Sequence, residues 1–180
     1  MKRYILAFLV LLPVIVQAQS TTWSFPAKTE GFQTEEILET SFAFSIGISG
    51  MTIMTTERTA GTFNIIDLPG SMRNLAIPGY PDLPLITRLI ALPEGAIPEI
   101  DILEDASQTV DLKIRHNAHP IIPVQPSVSK ADDPASQPFH YLREVYQQDA
   151  FSQQKIVSIE YLGRMRGVRI ARISISPFRY

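Results

Sequence analysis

Short stretches of alternating apolar and polar residues, many of them ended by glycine or proline, run through this chain. Phe42–Ile48 has an apolar side chain at every second position, and Thr62–Leu68 ends at the turn pair Pro69-Gly70. A period of two is typical of a β-strand with one buried face, whereas an amphipathic helix needs a period of about 3.6. The pattern therefore predicts a chain that folds mainly into sheets.

The middle of the chain continues this pattern. Ile77–Pro84 contains three prolines, which predict a stiff, extended connection. Leu85–Leu92 carries apolar residues on both faces and is expected to be a central strand covered on both sides. Glu99–Ile102 and Val110–Arg115 alternate and are expected to form a hairpin or a neighbouring pair.

Towards the C-terminus, Tyr141–Phe151 is the one stretch that suggests a short helix. Lys155–Tyr161 and Met165–Ile175 follow as predicted strands around Gly163. The apolar positions of the last strand change parity near Ala171, which indicates a bulge or a change of the covered face. Seven or eight short strands with at most one short helix predict an all-β fold, a β-sandwich or an open barrel.

The first nineteen residues have the form of an export signal. Lys2 and Arg3 precede the uncharged apolar run Tyr4–Val16, and Ala18 is a small residue at the cleavage position. This run is too short to cross a bilayer core as a helix, which takes roughly 20 residues. We therefore expect a cleaved signal peptide, residues 1–19, and no membrane segment in the exported protein.

Removing residues 1–19 removes two basic residues and no acidic one, so the remaining chain carries 14 basic and 18 acidic residues, a net charge of −4. This balance argues against a nucleic-acid partner, which would need a concentrated basic surface. Residues 20–35 are polar and are expected to be a lead-in. Residues 36–180 are expected to form one β domain.

The chain contains no cysteine, so it has no disulfide, no thiol nucleophile and no thiolate metal ligand. Its serines do not occur in a Gly-x-Ser-x-Gly elbow. His116 and His119 precede Pro120 at a predicted strand end, where the helical spacing of metal ligands does not apply. The sequence therefore predicts no catalytic apparatus, no metal and no cofactor.

Two basic features carry competing interpretations. The run Arg164, Arg166, Arg169 and Arg172 suits either the protection of a sheet edge or a docking surface for an acidic partner. The second feature is the long loop 117–141, which is punctuated by five prolines. Loops of this length in compact domains are usually functional or disordered.

Within that loop, Lys130 stands alone as a cation between Ser129 and Ala131. An exposed basic residue on a stiff loop fits the specificity pocket of a trypsin-like protease, whatever the protease fold. An ordinary solubilising lysine is the alternative that these residues leave open.

Three parts of the sequence resemble a known family. Gly79–Pro93, GYPDLPLITRLIALP, resembles the Gly-x-Pro-x-Leu-Pro…Arg core of gingipain propeptides. Leu162–Val168 and Ser176–Tyr180 resemble their Arg-Gly-x-x and Pro-x-(Gln/Arg)-Tyr ending. Between them, Val128–Pro134, VSKADDP, is similar to the family's inhibitory loop. The match covers roughly residues 36–180, with order and spacing kept.

The resemblance implies a β-sandwich-like prodomain that folds beside a cysteine peptidase catalytic domain. It would keep that domain latent during export through the type IX secretion route of a Gram-negative bacterium, by way of the periplasm to the cell surface or medium. Lys130 stands where the family has an arginine that occupies the S1 pocket without productive cleavage. The lysine leaves open whether the partner prefers lysine or accepts both basic residues.

The hypothesis is therefore an inhibitory, folding-assisting prodomain whose loop 117–141 binds a cognate catalytic domain, and which meets the export machinery on its way out. The catalytic domain that follows in the family is missing, so the chain is expected to be a truncated reading frame or a fragment. The alternative is a free-standing secreted β-sandwich binding module without a protease partner.

Overall fold

The computed structural model describes residues 20–27, 31–38, 40–73, 77–115, 117–133, 137–152 and 154–180. Over these ranges the chain forms nine strands in three antiparallel sheets, together with the short helices α1 (Leu112–Arg115) and α2 (Arg143–Tyr146). The all-β class predicted from the alternating pattern is confirmed, and the described strands do not close into a barrel. The predicted signal peptide lies outside the described residues.

The first sheet has three strands in the order β1-β4-β5: β1 (Ser20–Ser24), β4 (Gly50–Arg58) and β5 (Gly61–Asp67). Its centre is β4, which the sequence pattern did not predict. Met51 and Ile53 of β4 are buried on one face, and Thr52, Met54 and Thr56 are partly buried on the other.

The second sheet is the pair β2 (Gly31–Ile37) and β3 (Phe42–Gly47). The predicted lead-in, residues 20–35, thus contributes β1 and most of β2. Its polar composition is misleading because Trp23 is buried and lies opposite Met51, where it holds β1 against β4.

The third sheet has the order β6-β7-β9-β8 and contains β6 (Met72–Arg73), β7 (Pro84–Leu92), β8 (Val157–Met165) and β9 (Val168–Ile175). The last two strands form the predicted final pair.

That pair differs from the prediction in two details. The connection is the turn Arg166-Gly167, where both residues have positive φ, and Gly163 lies inside β8. The register shift occurs in β8 between Tyr161 and Gly163, not in β9 near Ala171. Gly163, with φ of 120°, accommodates a backbone conformation that a side chain would disfavour.

Two apolar clusters form the core, and Phe178 packs against both. The first lies on the three-stranded sheet; its buried members are Trp23, Met51, Ile53, Ile66, Leu83 and Ile121. The second lies between the β2–β3 pair and the four-stranded sheet; its buried members are Leu68, Ile86, Ile173 and Ile175. The C-terminal segment therefore joins the two halves of the domain.

Two strand predictions need correction. Glu99–Ile102 and Val110–Arg115 do not pair. Residues 96–111 form no strand, and the last four residues of the second stretch form α1. Alternation is not sufficient for a strand, because the backbone also needs a partner edge. β7 is internal to its sheet as predicted, but Leu89 on its outer face is 65% exposed, so that face is not covered.

Candidate functional site

The loop predicted at residues 117–141 divides into a buried part and an exposed part. Its first limb, residues 120–124, is buried from Ile121 to Val124. Asn64 N–H in β5 donates to the Pro120 carbonyl at 2.7 Å, and Ile122 N–H donates to the Asn64 carbonyl at 2.8 Å. The first limb therefore extends the three-stranded sheet beyond β5 by one short parallel bridge.

The other side of the first limb is held by the proline-rich connection 77–82. Asp82 N–H donates to the Ile122 carbonyl at 2.8 Å, and Gly79 N–H donates to the Val124 carbonyl at 2.8 Å. Val124 N–H donates in return to a carbonyl of the same connection, that of Tyr80, at 2.7 Å. The first limb thus lies between two backbone partners, which explains its burial in spite of its prolines.

Prolines and one glycine determine where this contact can form. Pro81 and Pro123 face each other in an isolated bridge, and neither has an N–H to donate, so the neighbouring residues make the hydrogen bonds. Gly79 has a φ of 90°, and a Cβ there would lie 2.6 Å from Cγ of Leu142. The connection therefore packs closely on both ends of the loop.

Asn64 fixes the start of the first limb from inside the sheet. Its side chain is fully buried, and its Nδ2 donates to Asn117 Oδ1 at 2.8 Å and to the His119 carbonyl at 2.9 Å. Thr55 Oγ1 donates to Asn64 Oδ1 at 3.4 Å. Sequence reasoning missed this residue, although a single amide within the apolar run of β5 is the kind of buried polar group that needs partners.

Packing between aromatic rings holds the return limb, residues 137–142, against the sheet. The rings of Phe139 and Tyr141 each lie 5.3 Å from the ring of Phe63, which is buried in β5. The ring centroid of Tyr141 lies 4.8 Å from that of Tyr146 in α2, and the ring centroid of Tyr146 lies 5.2 Å from that of Tyr180. These edge and tilted geometries are the favoured ones for aromatic pairs.

The two tyrosines at the end of this chain of rings titrate far from neutral pH. Burial raises the pKa of Tyr180 to about 12, with a smaller contribution from the neighbouring Tyr141. Burial also raises the pKa of Tyr146 well above its ordinary value. Both phenols therefore lose their protons at a higher pH than an exposed tyrosine does.

The tip of the loop, residues 127–133, lies exposed beyond the two limbs. Asp132 N–H donates to the Ser129 carbonyl at 3.1 Å, which closes a turn, and Ala131 N–H lies 3.3 Å from Ser129 Oγ. The structure thus brings the three predicted site residues, Ser129, Lys130 and Ala131, into one exposed turn. Lys130 occupies the second position of that turn.

A side chain connects the two ends of the loop just before the tip. Gln125 Oε1 accepts a hydrogen bond from His140 N–H at 3.0 Å, and Gln125 Nε2 donates to the His140 carbonyl at 2.9 Å. Sequence reasoning missed Gln125 as well, because its partner is a backbone fifteen residues away.

A cleft of about 410 Å³ lies beside the base of the loop. Asn117 and His119 line it on one side, and the aromatic residues Tyr141, Tyr146 and Tyr180 line it on the other. In the described part of the chain, no group of three or more His, Asp or Glu side chains could hold a metal ion. His116 lies outside the described residues. Within the same ranges, no helix is long and apolar enough to cross a membrane.

Three of the four arginines in the C-terminal run contact their own chain. Arg164 pairs with Glu94, whose pKa is lowered chiefly by that hydrogen bond, and Arg172 pairs with Glu160. Arg169 donates to the carbonyls of residues 93 and 96, and its guanidinium lies 5.2 Å from the Tyr161 ring. β9 is internal to its sheet, so edge protection does not explain its arginines.

Together these features define a class of protein: an antiparallel β-sandwich domain without a cysteine that carries a lysine at the tip of a loop anchored at both ends. The family model Propeptide_C25 matches residues 35–180. The chain belongs to this propeptide family of cysteine peptidases.

Individual relatives point to the gingipains. The chain is 33% identical over 170 residues to Lys-gingipain of Porphyromonas gingivalis, which covers 94% of this chain and 10% of the relative. It is 34% identical over 139 residues to Lys-gingipain HG66 of the same species, with 77% and 8% covered. The chain thus spans about a tenth of the length of the curated relatives it matches.

Solved structures agree with the fold. A structure that concerns the zymogenic latency of gingipain K from Porphyromonas gingivalis matches with a TM-score of 0.83 and 32% identity, over 90% of this chain and 88% of that one. A complex of the pro- and mature domains of RgpB from the same species matches with a TM-score of 0.66 and 16% identity, over 85% and 76%. At that lower identity the second match shows the fold alone.

Proposed function

We propose that the chain is the prodomain of a secreted gingipain-like cysteine endopeptidase and acts as its intramolecular inhibitor and folding aid. In this proposal the tip presents Lys130 to the S1 pocket of the catalytic domain. The observation that supports it most is the contrast within the loop: Lys130 is exposed in a closed turn, while the first limb on one side and the return limb on the other are attached to the sheet.

Lysine at the tip fits a lysine-preferring partner. The relatives at 33% and 34% identity carry lysine in their names, and this chain has lysine where the resemblance expects arginine. A cation that is desolvated in a complementary pocket can contribute about 2 kcal/mol or more to binding. We therefore propose that the cognate enzyme prefers lysine over arginine.

The proposal includes the route of the protein. Residues 1–19 would direct the chain to the periplasm, and the export machinery of a Gram-negative bacterium would carry the latent enzyme to the cell surface or the medium. Family membership and the Porphyromonas relatives support this route. Latency matters on such a route because an active peptidase would damage the cell that exports it.

Titration of the purified chain against the mature catalytic domain of a Lys-gingipain tests the inhibition. We expect Lys130→Ala to weaken inhibition about 30-fold, which corresponds to about 2 kcal/mol. The matched control is Lys155→Ala, which removes another exposed lysine outside the loop and should leave inhibition unchanged.

Two results would contradict the proposal. If Lys130→Ala inhibits as well as the wild type, the lysine does not occupy the specificity pocket. If the wild type inhibits no gingipain-like peptidase, the free-standing binding module becomes the better interpretation. Lys130→Arg, tested on Lys- and Arg-specific enzymes, separates a lysine-preferring partner from one that accepts both residues.

A further inference from the structure

Gln125 makes an unusual set of contacts for an exposed side chain. Its amide pairs with both backbone groups of His140, accepting at 3.0 Å and donating at 2.9 Å. The same Nε2 lies 3.0 Å from the Pro123 carbonyl. A primary amide has two N–H donors and one carbonyl acceptor, so these three contacts use its main hydrogen-bonding capacity.

The position of this contact is as informative as its geometry. Val124, on one side of Gln125, is buried and hydrogen-bonded to the connection 77–82. Tyr141, next to His140, packs edge-to-face against Phe63. Phe139, on the other side of His140, packs against the same ring. The Gln125–His140 pair therefore links the two limbs directly to each other at the place where both are held on the sheet.

The pair closes a loop whose ends are fifteen residues apart. Without it, each limb would be held only by its own contacts with the rest of the domain, and the exposed segment between the limbs would sample more conformations. A binding loop that is already ordered loses less conformational entropy when its partner binds, so it binds more tightly. The same ordering also keeps the turn Ser129–Asp132 in one orientation relative to the sheet.

We infer that Gln125 is a positioning residue for inhibition: by pairing with the backbone of His140 it closes the loop and pre-orders the turn that carries Lys130. This inference rests on the proposed function, since it assigns to Gln125 a role that is exerted through Lys130. Gln125 need not touch the protease for this role.

The test uses substitutions that keep the size of the side chain. Gln125→Met keeps the length of the side chain and removes the hydrogen bonds of the amide, including both to the backbone of His140. Gln125→Glu keeps the acceptor but sets a carboxylate oxygen against the His140 carbonyl. Gln137→Met is the matched control, because this glutamine of the same loop makes no side-chain hydrogen bond with any residue in the described ranges.

With the mature catalytic domain of a Lys-gingipain as the probe, we expect Gln125→Met and Gln125→Glu to weaken inhibition about ten-fold, and Gln137→Met to have no effect. The midpoint of thermal unfolding of the Gln125 variants should equal that of Gln137→Met, because the Gln125–His140 pair is exposed. Amide hydrogen exchange at His140 should become faster in Gln125→Met, because that variant has lost the acceptor of the His140 N–H.

A double-mutant cycle with Lys130→Ala separates positioning from direct contact. If Gln125 acts through Lys130, Gln125→Met should have little further effect in the Lys130→Ala background. Additive losses would overturn the inference, because they would mean that Gln125 binds the protease by itself. Unchanged inhibition by both Gln125 variants, with faster exchange at His140 in Gln125→Met, would overturn it too.

The failure of this inference can be told from the failure of the proposed function. If Lys130→Ala weakens inhibition and the Gln125 variants do not, the lysine mechanism stands and the positioning role is rejected. If Lys130→Ala has no effect, the proposed function fails, and a positioning role exerted through that lysine fails with it.

Discussion

The first limb and the tip belong to one proline-rich loop, yet the first limb is buried and the tip is exposed. Ile121 in the first limb is 3% exposed, and its neighbours are hydrogen-bonded on both sides. Val128 in the tip is 39% exposed, and the turn that follows it is closed by hydrogen bonds between its own residues. Proline content does not distinguish them, since both follow a proline closely.

The difference lies in what stands beside each segment. The first limb meets β5 on one side and the connection 77–82 on the other, and both supply backbone groups at the right spacing. A proline-rich segment can therefore serve as a short internal strand where partners exist and as a stiff exposed arm where they do not. In this domain the first limb is built into the core, and the tip is left exposed to solvent.

The largest effect should come from the first limb. Ile121→Ala removes a buried side chain from the first core cluster, and we expect it to lower the free energy of unfolding by about 3 kcal/mol. Val128→Ala is the matched change in the tip and should cost about 0.5 kcal/mol or less. Urea unfolding of the two variants measures both values. Similar losses would show that the two segments do not differ as described.

A smaller effect should come from the connection 77–82, which is hydrogen-bonded to the first limb. Gly79→Ala places a Cβ within 2.6 Å of Leu142 at a φ of 90°, so we expect a loss of about 2 kcal/mol or more. Gly95 also has positive φ, 74°, but a Cβ there would meet nothing within 4 Å. Gly95→Ala should therefore cost only the backbone strain, about 1 kcal/mol. Equal losses would mean that contact with Leu142 does not matter.

The same contrast explains which strands could be predicted from sequence. β3, β5 and β7 to β9 were predicted because apolar residues alternate or run together in them. β4 was missed because Thr52, Thr55 and Thr56 interrupt its apolar alternation, although threonine favours strands. The predicted pair at residues 99–115 failed for the opposite reason: its alternation is clear, but no described strand pairs with it.

The site was partly predictable on the same grounds. The position of Lys130 between polar and small residues indicated an exposed basic residue, and the structure places it in an exposed turn. Burial of Ile121–Val124 was not predictable, because it depends on β5 and the connection 77–82, which are distant in sequence. The Gln125–His140 contact depends on where a backbone fifteen residues away comes to lie, which no local pattern encodes.

The smallest predicted effect concerns the aromatic residues behind the return limb. Burial raises the pKa of Tyr180 to about 12, whereas a tyrosine in the unfolded chain titrates at about 10. Between these two pH values the unfolded chain loses a proton that the folded chain keeps. The free energy of unfolding therefore falls as the pH rises from about 10 towards 12.

Tyr180→Phe removes this proton, so the variant should lose less stability than the wild type between pH 7 and pH 11. Because the ring is only partly buried, we expect a difference of less than about 1 kcal/mol. Urea unfolding at pH 7, 10 and 11 measures it, with the pH 7 values as the internal control. Equal losses of stability in the two proteins would mean that the phenol ionises in the folded state as readily as in the unfolded one. The rings from Phe63 to Tyr180 would then not shield this phenol from water.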